Sequence, residues 1–179
     1  MSTLKPPVGE GDHIQGNPNA PATLVEYGDF QCPHCAAAHP LVQELQAHFG
    51  PRLRFVFRHF PLNRIHPQAE AAAQTAEFAG AHDKFWPMHD LLLENQEQLS
   101  LSLFAELAQS MNLSPADLES ALENSTYERR VHQDFTGGVR SGVNGTPTFF
   151  LNGERYDGDR DYQSMADVIE AAATSQAPR

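Results

Sequence analysis

The two cysteines of this chain lie in one tetrapeptide, Cys32-Pro33-His34-Cys35, and its position constrains the fold more than any other feature. It follows an apolar run, residues 22–27, that is typical of a buried strand, and it opens a helical pattern continuing to about residue 49. The junction places the first sulfur over a helix N-terminus, where free backbone N–H groups and the helix dipole stabilise a thiolate. The second sulfur lies about one turn away and can close a disulfide with the first, so this geometry suits thiol–disulfide exchange.

The same cysteines allow two other interpretations. Cys32, Cys35 and His39 fall at i, i+3 and i+7 of one helix face and offer three ligands to a metal ion. A closed zinc site needs about four ligands, and the sequence has no second C-x-x-C or H-x₃-H pair. An inert structural disulfide here would close a very short loop and would remove little entropy from the unfolded chain. We therefore predict no resident metal or other cofactor, with a metal-binding module as the alternative.

Charge and composition narrow the class of partner. The 179-residue chain has a formal net charge of −11, which disfavours nucleic acid and anionic membrane surfaces. No apolar run approaches the length of a transmembrane helix, and residues 1–11 contain neither an apolar segment nor an A-x-A cleavage site. We expect a cytoplasmic protein without membrane insertion, monomeric by default. The alternative is a periplasmic protein whose signal peptide has been removed.

Hydrophobic periodicity outlines an α/β chain with a small mixed sheet. Residues 53–58 form a second strand pattern, so the intervening helix makes a βαβ unit with a parallel strand pair. Only helical patterns occur from about residue 63 to 137. A strand returns at residues 147–151, followed by an Asn152-Gly153 turn, a returning strand and an amphipathic helix over 162–173. The predicted order is βαβ, a helical block, then ββα.

Finer signals predict several local features. Ser114-Pro115-Ala116-Asp117 has the pattern of a helix start: an N-cap serine, a proline at the first helical position and an acid in the first turn. Pro40 is expected to kink the first helix or to break its hydrogen-bond ladder locally. Residues 1–11 are expected to form a loose arm, with a short strand close behind it at residues 13–15.

The layout and motifs together resemble the DsbA family of thiol–disulfide oxidoreductases, which has a thioredoxin fold with an inserted helical domain. The Cys-Pro-His-Cys tetrapeptide is typical of that family's active site, and residues 145–149, Gly-Thr-Pro-Thr-Phe, resemble its cis-proline loop. Residues 58–62, 84–89 and 152–158 match a compact subgroup that lacks a signal peptide and is similar to domains fused to sodium/proton antiporters.

The resemblance implies a domain division. A discontinuous thioredoxin-like domain is expected over residues 12–62 and 139–176, and an inserted all-helical domain over residues 63–138. Residues 1–11 remain outside both as the arm.

The position of the tetrapeptide at the helix start also assigns roles to its residues. Cys32 is expected to be the attacking nucleophile and the more buried Cys35 to resolve the mixed disulfide. His34 adds a donor and, when protonated, a positive charge beside the Cys32 sulfur, and both lower the pKa of that thiol. Pro33 completes the tetrapeptide as the family carries it.

Three further residues are expected at the site. Glu26 lies six residues before Cys32, where the family carries a buried acid that assists proton transfer at the resolving cysteine. Strand alternation places Glu26 on the face of Leu24 and Gly28, and the alternatives are an exposed edge position or an ion pair with Arg58. The resemblance implies that Pro147 is cis. It also implies that the backbone of Thr146 faces the sulfurs, where an extended substrate peptide adds as a strand.

The sequence thus predicts a dithiol–disulfide oxidoreductase that exchanges disulfides with protein or peptide thiols and is regenerated by a redox partner. The alternatives are the metal-binding module of Cys32, Cys35 and His39 and a redox-inactive module that binds peptides near Thr146. The direction of the reaction is left open, because a cytosolic location favours a reductive role while the Pro-His dipeptide favours an oxidising potential.

Overall fold

The structure is a computed structural model that describes residues 2–175, and within them the chain forms five strands and seven α-helices. The strands are His13–Gly16 (β1), Ala22–Gly28 (β2), Leu53–His59 (β3), Thr148–Leu151 (β4) and Glu154–Tyr156 (β5). The helices are Pro33–Phe49 (α1), Ala69–Gly80 (α2), Phe85–Glu94 (α3), Leu101–Ser110 (α4), Pro115–Glu123 (α5), Glu128–Arg140 (α6) and Tyr162–Ser175 (α7). Met1 and residue 176, which the predicted arm and the predicted thioredoxin-like domain include, lie outside the described residues.

The sheet has the order β1-β3-β2-β4-β5, with β2 at its centre. Strands β2 and β3 pair in parallel, in register from Ala22 opposite Leu53 to Gly28 opposite His59, and the other three pairs are antiparallel. The parallel pair follows from α1, because a crossover helix returns the chain to the same end of the sheet. The βαβ and ββα order predicted by the periodicity is therefore confirmed, and so is the thioredoxin fold that the resemblance implied.

Strand β2 is buried along its whole length because both faces of the sheet are covered. One face packs against the helices through the larger core, which includes Leu24 and Phe57 of the sheet and Met88 and Phe104 of the helical block. The other face forms a smaller core around Tyr27 and its neighbours. Residues 24 and 26 face the first core, and residues 25 and 27 face the second, as period-two alternation predicts.

The helical block between β3 and β4 comprises α2 to α6. The predicted helix start at Ser114 is correct, since its side chain accepts a hydrogen bond of 3.1 Å from the Asp117 N–H. Helix α1 continues through the exposed Pro40. Proline has no backbone donor, so one hydrogen bond of the ladder is missing there, and the alternative of a kink stays a prediction. Because one core joins the block to the sheet, the boundaries of the inserted domain stay a prediction.

The N-terminal segment is not a loose arm as expected. Thr3 bridges to Glu154, and the Leu4 N–H donates to the Gly153 carbonyl at 2.9 Å. The Lys5 N–H donates to the Ser141 hydroxyl at 2.8 Å, and the Leu4 side chain is buried in the smaller core. Backbone pairing to the edge of β5 and burial of one leucine therefore hold this segment in place.

Within residues 2–175 no helix is long and apolar enough to cross a membrane.

Candidate active site

The tetrapeptide lies at the start of α1, with Cys32 as the N-cap residue and Pro33 in the first helical turn. The Cys32 backbone is extended, and its sulfur points across the site to the Thr146 carbonyl oxygen at 3.4 Å. Both thiols are free and buried, and Cys35 is completely enclosed. The predicted order of burial, with Cys35 deeper than Cys32, is correct.

The two thiols have opposite acidities. The pKa of Cys32 falls from 9.0 to about 5, first because the Cys35 thiol hydrogen-bonds to its sulfur, an effect that burial partly opposes. The pKa of Cys35 is raised well above 9.0, first by burial, then by that same hydrogen bond and by the nearby Glu26 carboxyl. At neutral pH Cys32 is therefore the thiolate and Cys35 the thiol.

The remaining support for the Cys32 thiolate comes from the helix start and the loop before β4. The Thr146 hydroxyl lowers the pKa of Cys32, as do the backbone N–H groups of Cys35 and His34. His34 and Pro33 are exposed. The contact from His34 to the sulfur is its backbone N–H, and the predicted contribution of its imidazole charge stays a prediction.

The loop before β4 brings Thr146 and Pro147 beside the dithiol. The Thr146–Pro147 peptide bond is cis, and Pro147 is buried. The Thr146 hydroxyl oxygen has no hydrogen-bond partner among the described residues, apart from its approach to the Cys32 sulfur. The Cys32 sulfur and the Thr146 carbonyl oxygen, which are more than one hundred residues apart in the chain, therefore lie 3.4 Å from each other.

Glu26 lies beneath the dithiol, on the face of β2 that the alternation predicted. Only 2 % of its surface is exposed, and its Oε1 atom has no hydrogen-bond partner within residues 2–175. It lies opposite Phe57 on β3 and Phe149 on β4, so its surroundings are largely apolar. Burial, and next the negative charge of Cys32, raise the pKa of Glu26 to about 8. The alternative of an exposed edge position is wrong.

Gly28 is needed at this point of β2. A Cβ atom there would lie 2.4 Å from the Phe57 ring and 3.2 Å from the Glu26 Oε1 atom. Only glycine therefore leaves room for the ring that covers the buried carboxyl.

Arg58 does not pair with Glu26, because neighbouring residues on the strands face opposite sides of the sheet. Its guanidinium binds the Asp12 carboxylate at 2.7 and 2.9 Å and donates to the Tyr27 hydroxyl at 3.0 Å. Burial raises the pKa of Asp12, but hydrogen bonds from Arg58 and the Gly9 N–H and the positive charges of Arg58 and Arg130 together outweigh burial and leave the pKa below its usual value. The suggested Glu26–Arg58 pair is therefore wrong.

Asp29, which sequence reasoning missed, organises the loop before the tetrapeptide. Its carboxylate is buried and accepts hydrogen bonds from the Gln31 N–H at 2.7 Å and the Leu62 N–H at 2.9 Å. The His66 Nδ1 atom lies 2.7 Å from the same carboxylate, and the Asp29 N–H approaches the Cys35 sulfur at 3.5 Å. An aspartate that bonds the backbone two residues on is a recognisable turn signal, so this role had a local clue.

Gln96 is a second residue of the site that sequence reasoning missed, and no local sequence signal points to it. It lies in the short 3₁₀ turn Gln96–Gln98 between α3 and α4. Its side-chain amide donates to the carbonyl oxygens of Phe30 at 2.8 Å and Cys32 at 2.7 Å. The helical block therefore holds the backbone on both sides of Gln31, immediately before the nucleophile.

The metal ligand set of Cys32, Cys35 and His39 does not form. In the part of the chain that the structure describes, the three-residue groups with converging ligand atoms are His13, His59, Glu77 and His39, His89, Asp90, and neither contains a cysteine. Cys32 caps α1 and faces Thr146, whereas the His39 Nε2 atom faces Asp90 and Glu94 of α3. The spacing of the three residues would place them on one face of a helix only if all three were helical. Cys32 is the N-cap residue with an extended backbone, so it does not share the face of Cys35 and His39.

A sequence model of the family described as Thioredoxin matches residues 9–171. Among curated relatives, Na(+)/H(+) antiporter NhaA 1 of Salinispora arenicola is 42 % identical over 164 residues, which are 90 % of this chain and 24 % of that protein. Na(+)/H(+) antiporter NhaA 1 of Mycolicibacterium gilvum is 38 % identical over 173 residues, 96 % of this chain and 28 % of that protein. The chain thus spans about a quarter of the length of these relatives.

Solved structures share the fold at low sequence identity. Oxidised BdbD from Bacillus subtilis has a TM-score of 0.87 and 24 % identity, covering 97 % of this chain and 98 % of that one. The alpha-DsbA1 protein of Wolbachia pipientis has a TM-score of 0.83 and 18 % identity, covering 95 % and 94 %. A thioredoxin-like oxidoreductase from Silicibacter pomeroyi has a TM-score of 0.78 and 24 % identity, covering 93 % and 94 %. The chain therefore belongs to the thioredoxin family, and its fold is the DsbA-like form with helices inserted between β3 and β4.

Proposed function

We propose that this protein is a dithiol–disulfide oxidoreductase that exchanges disulfides with protein or peptide thiols through Cys32 and Cys35. The observation that carries the proposal is the opposite acidity of the two thiols, with a Cys32 pKa of about 5 and a Cys35 pKa well above 9.0. The thiolate is the nucleophile and the better leaving group in thiol–disulfide exchange. The asymmetry therefore gives Cys32 the bond to substrate and Cys35 the resolving step.

The oxidising direction proceeds in two exchanges. A substrate thiolate attacks the Cys32 sulfur of the Cys32–Cys35 disulfide, forming a mixed disulfide and releasing Cys35 as a thiolate that takes up a proton. A second substrate thiolate then attacks the substrate sulfur of the mixed disulfide and releases Cys32 as a thiolate. The substrate dithiol loses two electrons, and the cysteine pair gains them. The reducing direction is the reverse.

Glu26 is proposed to carry the proton to and from Cys35. Its carboxyl is close enough to raise the pKa of Cys35, and its own pKa of about 8 leaves it protonated in much of the population at neutral pH. A general acid or base works best when its pKa lies near the operating pH. An unpartnered, buried carboxyl in this position therefore suits proton exchange with the resolving thiol.

The substrate is proposed to lie against Thr146 and Pro147. The Thr146 carbonyl oxygen lies 3.4 Å from the attacking sulfur, so a peptide extended along this loop would bring its own cysteine to Cys32. Main-chain pairing of this kind is largely independent of side-chain sequence. Two structural neighbours are named a thioredoxin-like oxidoreductase and a thiol-disulfide exchange protein, and these names support thiol–disulfide exchange as the reaction.

The decisive experiment measures the reduction potential of the pair by equilibration with glutathione buffers. Thioredoxin, with an attacking cysteine of pKa about 7, has a potential of about −270 mV. A Cys32 pKa of about 5 stabilises the reduced form further at pH 7, which raises the potential by up to about 50 mV after allowing for solvent screening. We expect a value between about −270 and −220 mV.

The pH dependence of this potential checks the assignment independently. Between pH 5 and 8 one proton accompanies the two electrons, so the potential should fall by about 30 mV per pH unit. Below pH 5 two protons do, and the slope should double. In parallel, Cys35→Ser should trap a mixed disulfide with a peptide disulfide, and Cys32→Ser should not. The absence of a reversible couple, with peptide binding retained, would favour the redox-inactive binding module instead.

The cytoplasmic location expected from the sequence is part of this proposal. A couple between about −270 and −220 mV would be held mainly reduced by a cytosolic glutathione pool at about −280 to −320 mV. The same couple in an oxidising compartment would be mainly a disulfide. Trapping the thiols with an alkylating reagent in intact cells distinguishes the two states.

A further inference from the structure

The side-chain amide of Gln96 is placed to do more than hold the helical block against the sheet. Its nitrogen lies 2.8 Å from the Phe30 carbonyl oxygen and 2.7 Å from the Cys32 carbonyl oxygen. A primary amide has two N–H donors, and these two carbonyls accept both of them. The amide therefore places its positive end on the two backbone carbonyls nearest to the attacking cysteine.

The Cys32 carbonyl oxygen is shared by three donors. The Cys35 N–H donates to it at 3.0 Å and the Ala36 N–H at 3.2 Å, and the Gln96 amide makes the shortest contact, at 2.7 Å. A carbonyl oxygen has two lone pairs. Gln96 occupies one of them, so the two backbone N–H groups share the other, as is common at helix ends.

This sharing matters because the Cys35 N–H has a second acceptor. It also donates to the Cys32 sulfur, where it lowers the pKa of that thiol. Without the Gln96 amide, the Cys32 carbonyl would take a larger share of this N–H, and the sulfur would keep less of it. Both carbonyl oxygens would in addition keep their full negative partial charge close to a thiolate. Each consequence disfavours the charged form of Cys32.

We propose that Gln96 is a positioning residue for Cys32, because its amide neutralises two backbone carbonyls and leaves the Cys35 N–H to the attacking sulfur. The inference rests on the proposed function, in which the Cys32 thiolate is the nucleophile. Gln96 acts through the backbone of Cys32 and is not itself a catalytic residue. The helical block then contributes to the reactivity of the dithiol as well as to the core.

Two substitutions with opposite expected effects test the proposal. Gln96→Met keeps the length of the side chain but has no donor, so the pKa of Cys32 should rise by about half a unit to one unit, the size of one neutral hydrogen bond. Gln96→Lys keeps donors and adds a positive charge, so the pKa should fall below that of the parent. Ultraviolet absorbance of the thiolate during a pH titration measures both. Cys35 does not interfere, because its pKa lies well above 9.0.

Gln98→Met is the matched control, since Gln98 is exposed at the other end of the same turn. It should leave the pKa of Cys32 unchanged. Equilibration with glutathione at pH 7 adds a second measurement: Gln96→Met should favour the disulfide about three- to tenfold more than the parent, the same factor as the pKa shift. The titration itself needs no disulfide exchange, so its outcome is separate from that of the proposed function.

The proposal is overturned if Gln96→Met and Gln96→Lys shift the pKa of Cys32 in the same direction, or if neither differs from Gln98→Met. A lower free energy of unfolding with an unchanged pKa would overturn it too, because Gln96 would then only stabilise the fold. One measurement uses the unsubstituted chain. The side-chain amide NMR signals of Gln96 should shift at the pH where Cys32 ionises and those of Gln98 should not, and the absence of this shift contradicts the proposal.

Discussion

The two faces of the sheet at strand β2 differ in whether their buried ionisable side chains have hydrogen-bond partners. On the face of Tyr27, Arg58 is surrounded by partners: both Asp12 carboxylate oxygens, the Tyr27 hydroxyl and two proline carbonyls. On the face of Glu26, one carboxyl oxygen has no partner among the described residues. A paired ion is retained because leaving either partner alone is costly, whereas an unpaired acid stays buried only by holding its proton. The first face serves stability, and the second is suited to proton chemistry.

A second buried glutamate shows that burial alone does not make this difference. Glu77 lies on the helix side of the sheet, as Glu26 does, but it contacts both His13 and His59. Burial by itself would raise the pKa of Glu77, yet the two histidine contacts lower it well below its usual value. The partners, not the depth, decide whether a buried carboxyl is charged.

The largest expected effect tests the paired face. Arg58→Met leaves the buried Asp12 carboxylate and the Tyr27 hydroxyl without their donor, so we expect a loss of about 3–5 kcal/mol in the free energy of unfolding. Urea unfolding measures it, and Arg58→Lys, which keeps the charge but not the two-pronged contact, should lose less. The rate of disulfide exchange in the folded variant should stay close to that of the parent. A loss below about 1 kcal/mol would mean that this face is not held by its ion pair.

The next effect tests the unpaired face. Between pH 4.5 and 7 the unfolded chain ionises Glu26 while the folded chain keeps it protonated, because its folded pKa is about 8. Stability is therefore present at low pH and lost as pH rises. The parent should lose about 3 kcal/mol over this window relative to Glu26→Gln, which has no such group. Unfolding curves at several pH values measure the difference.

The same substitution separates the proposed role in catalysis from the stability effect. Glu26→Gln should slow the attack of Cys35 on the mixed disulfide between Cys32 and the substrate by on the order of 100-fold, whereas the pKa of Cys32 should change little. Stopped-flow reduction of a peptide disulfide gives both quantities. If the parent and the variant show the same pH dependence and the same rate, Glu26 is neither protonated in the fold nor part of the reaction.

The smallest expected effect concerns the Thr146 hydroxyl, which approaches the Cys32 sulfur and has no other hydrogen-bond partner in residues 2–175. Thr146→Val should raise the pKa of Cys32 by less than about one unit, because one neutral hydrogen bond contributes about 1 kcal/mol. Thr146→Ser keeps the hydroxyl and should keep the pKa. Ultraviolet absorbance of the thiolate during a pH titration reads it directly. A larger change in Thr146→Ser than in Thr146→Val would exclude the hydroxyl as the cause.

Local sequence patterns predicted the elements of this fold well. Each strand and helix pattern between residues 13 and 173 corresponds to an observed element, because period and capping depend on near neighbours. The Ser114 cap and the position of Glu26 on β2 follow from the same local rules. The wrong predictions concern contacts between distant parts of the chain. The N-terminal segment pairs with β5 instead of forming a loose arm, and Arg58 binds Asp12 instead of Glu26. Both depend on segments far away in the sequence.

By itself, the sequence determined the thioredoxin order of elements, the dithiol at the start of α1 and the face of β2 that carries Glu26. Only the tertiary structure decided which groups meet there. Thr146 reaches Cys32 from the loop before β4, and Gln96 holds the Cys32 carbonyl from the helical block. Periodicity is a property of a few consecutive residues, whereas hydrogen bonds and pKa values arise from atoms that packing brings together from distant parts of the chain.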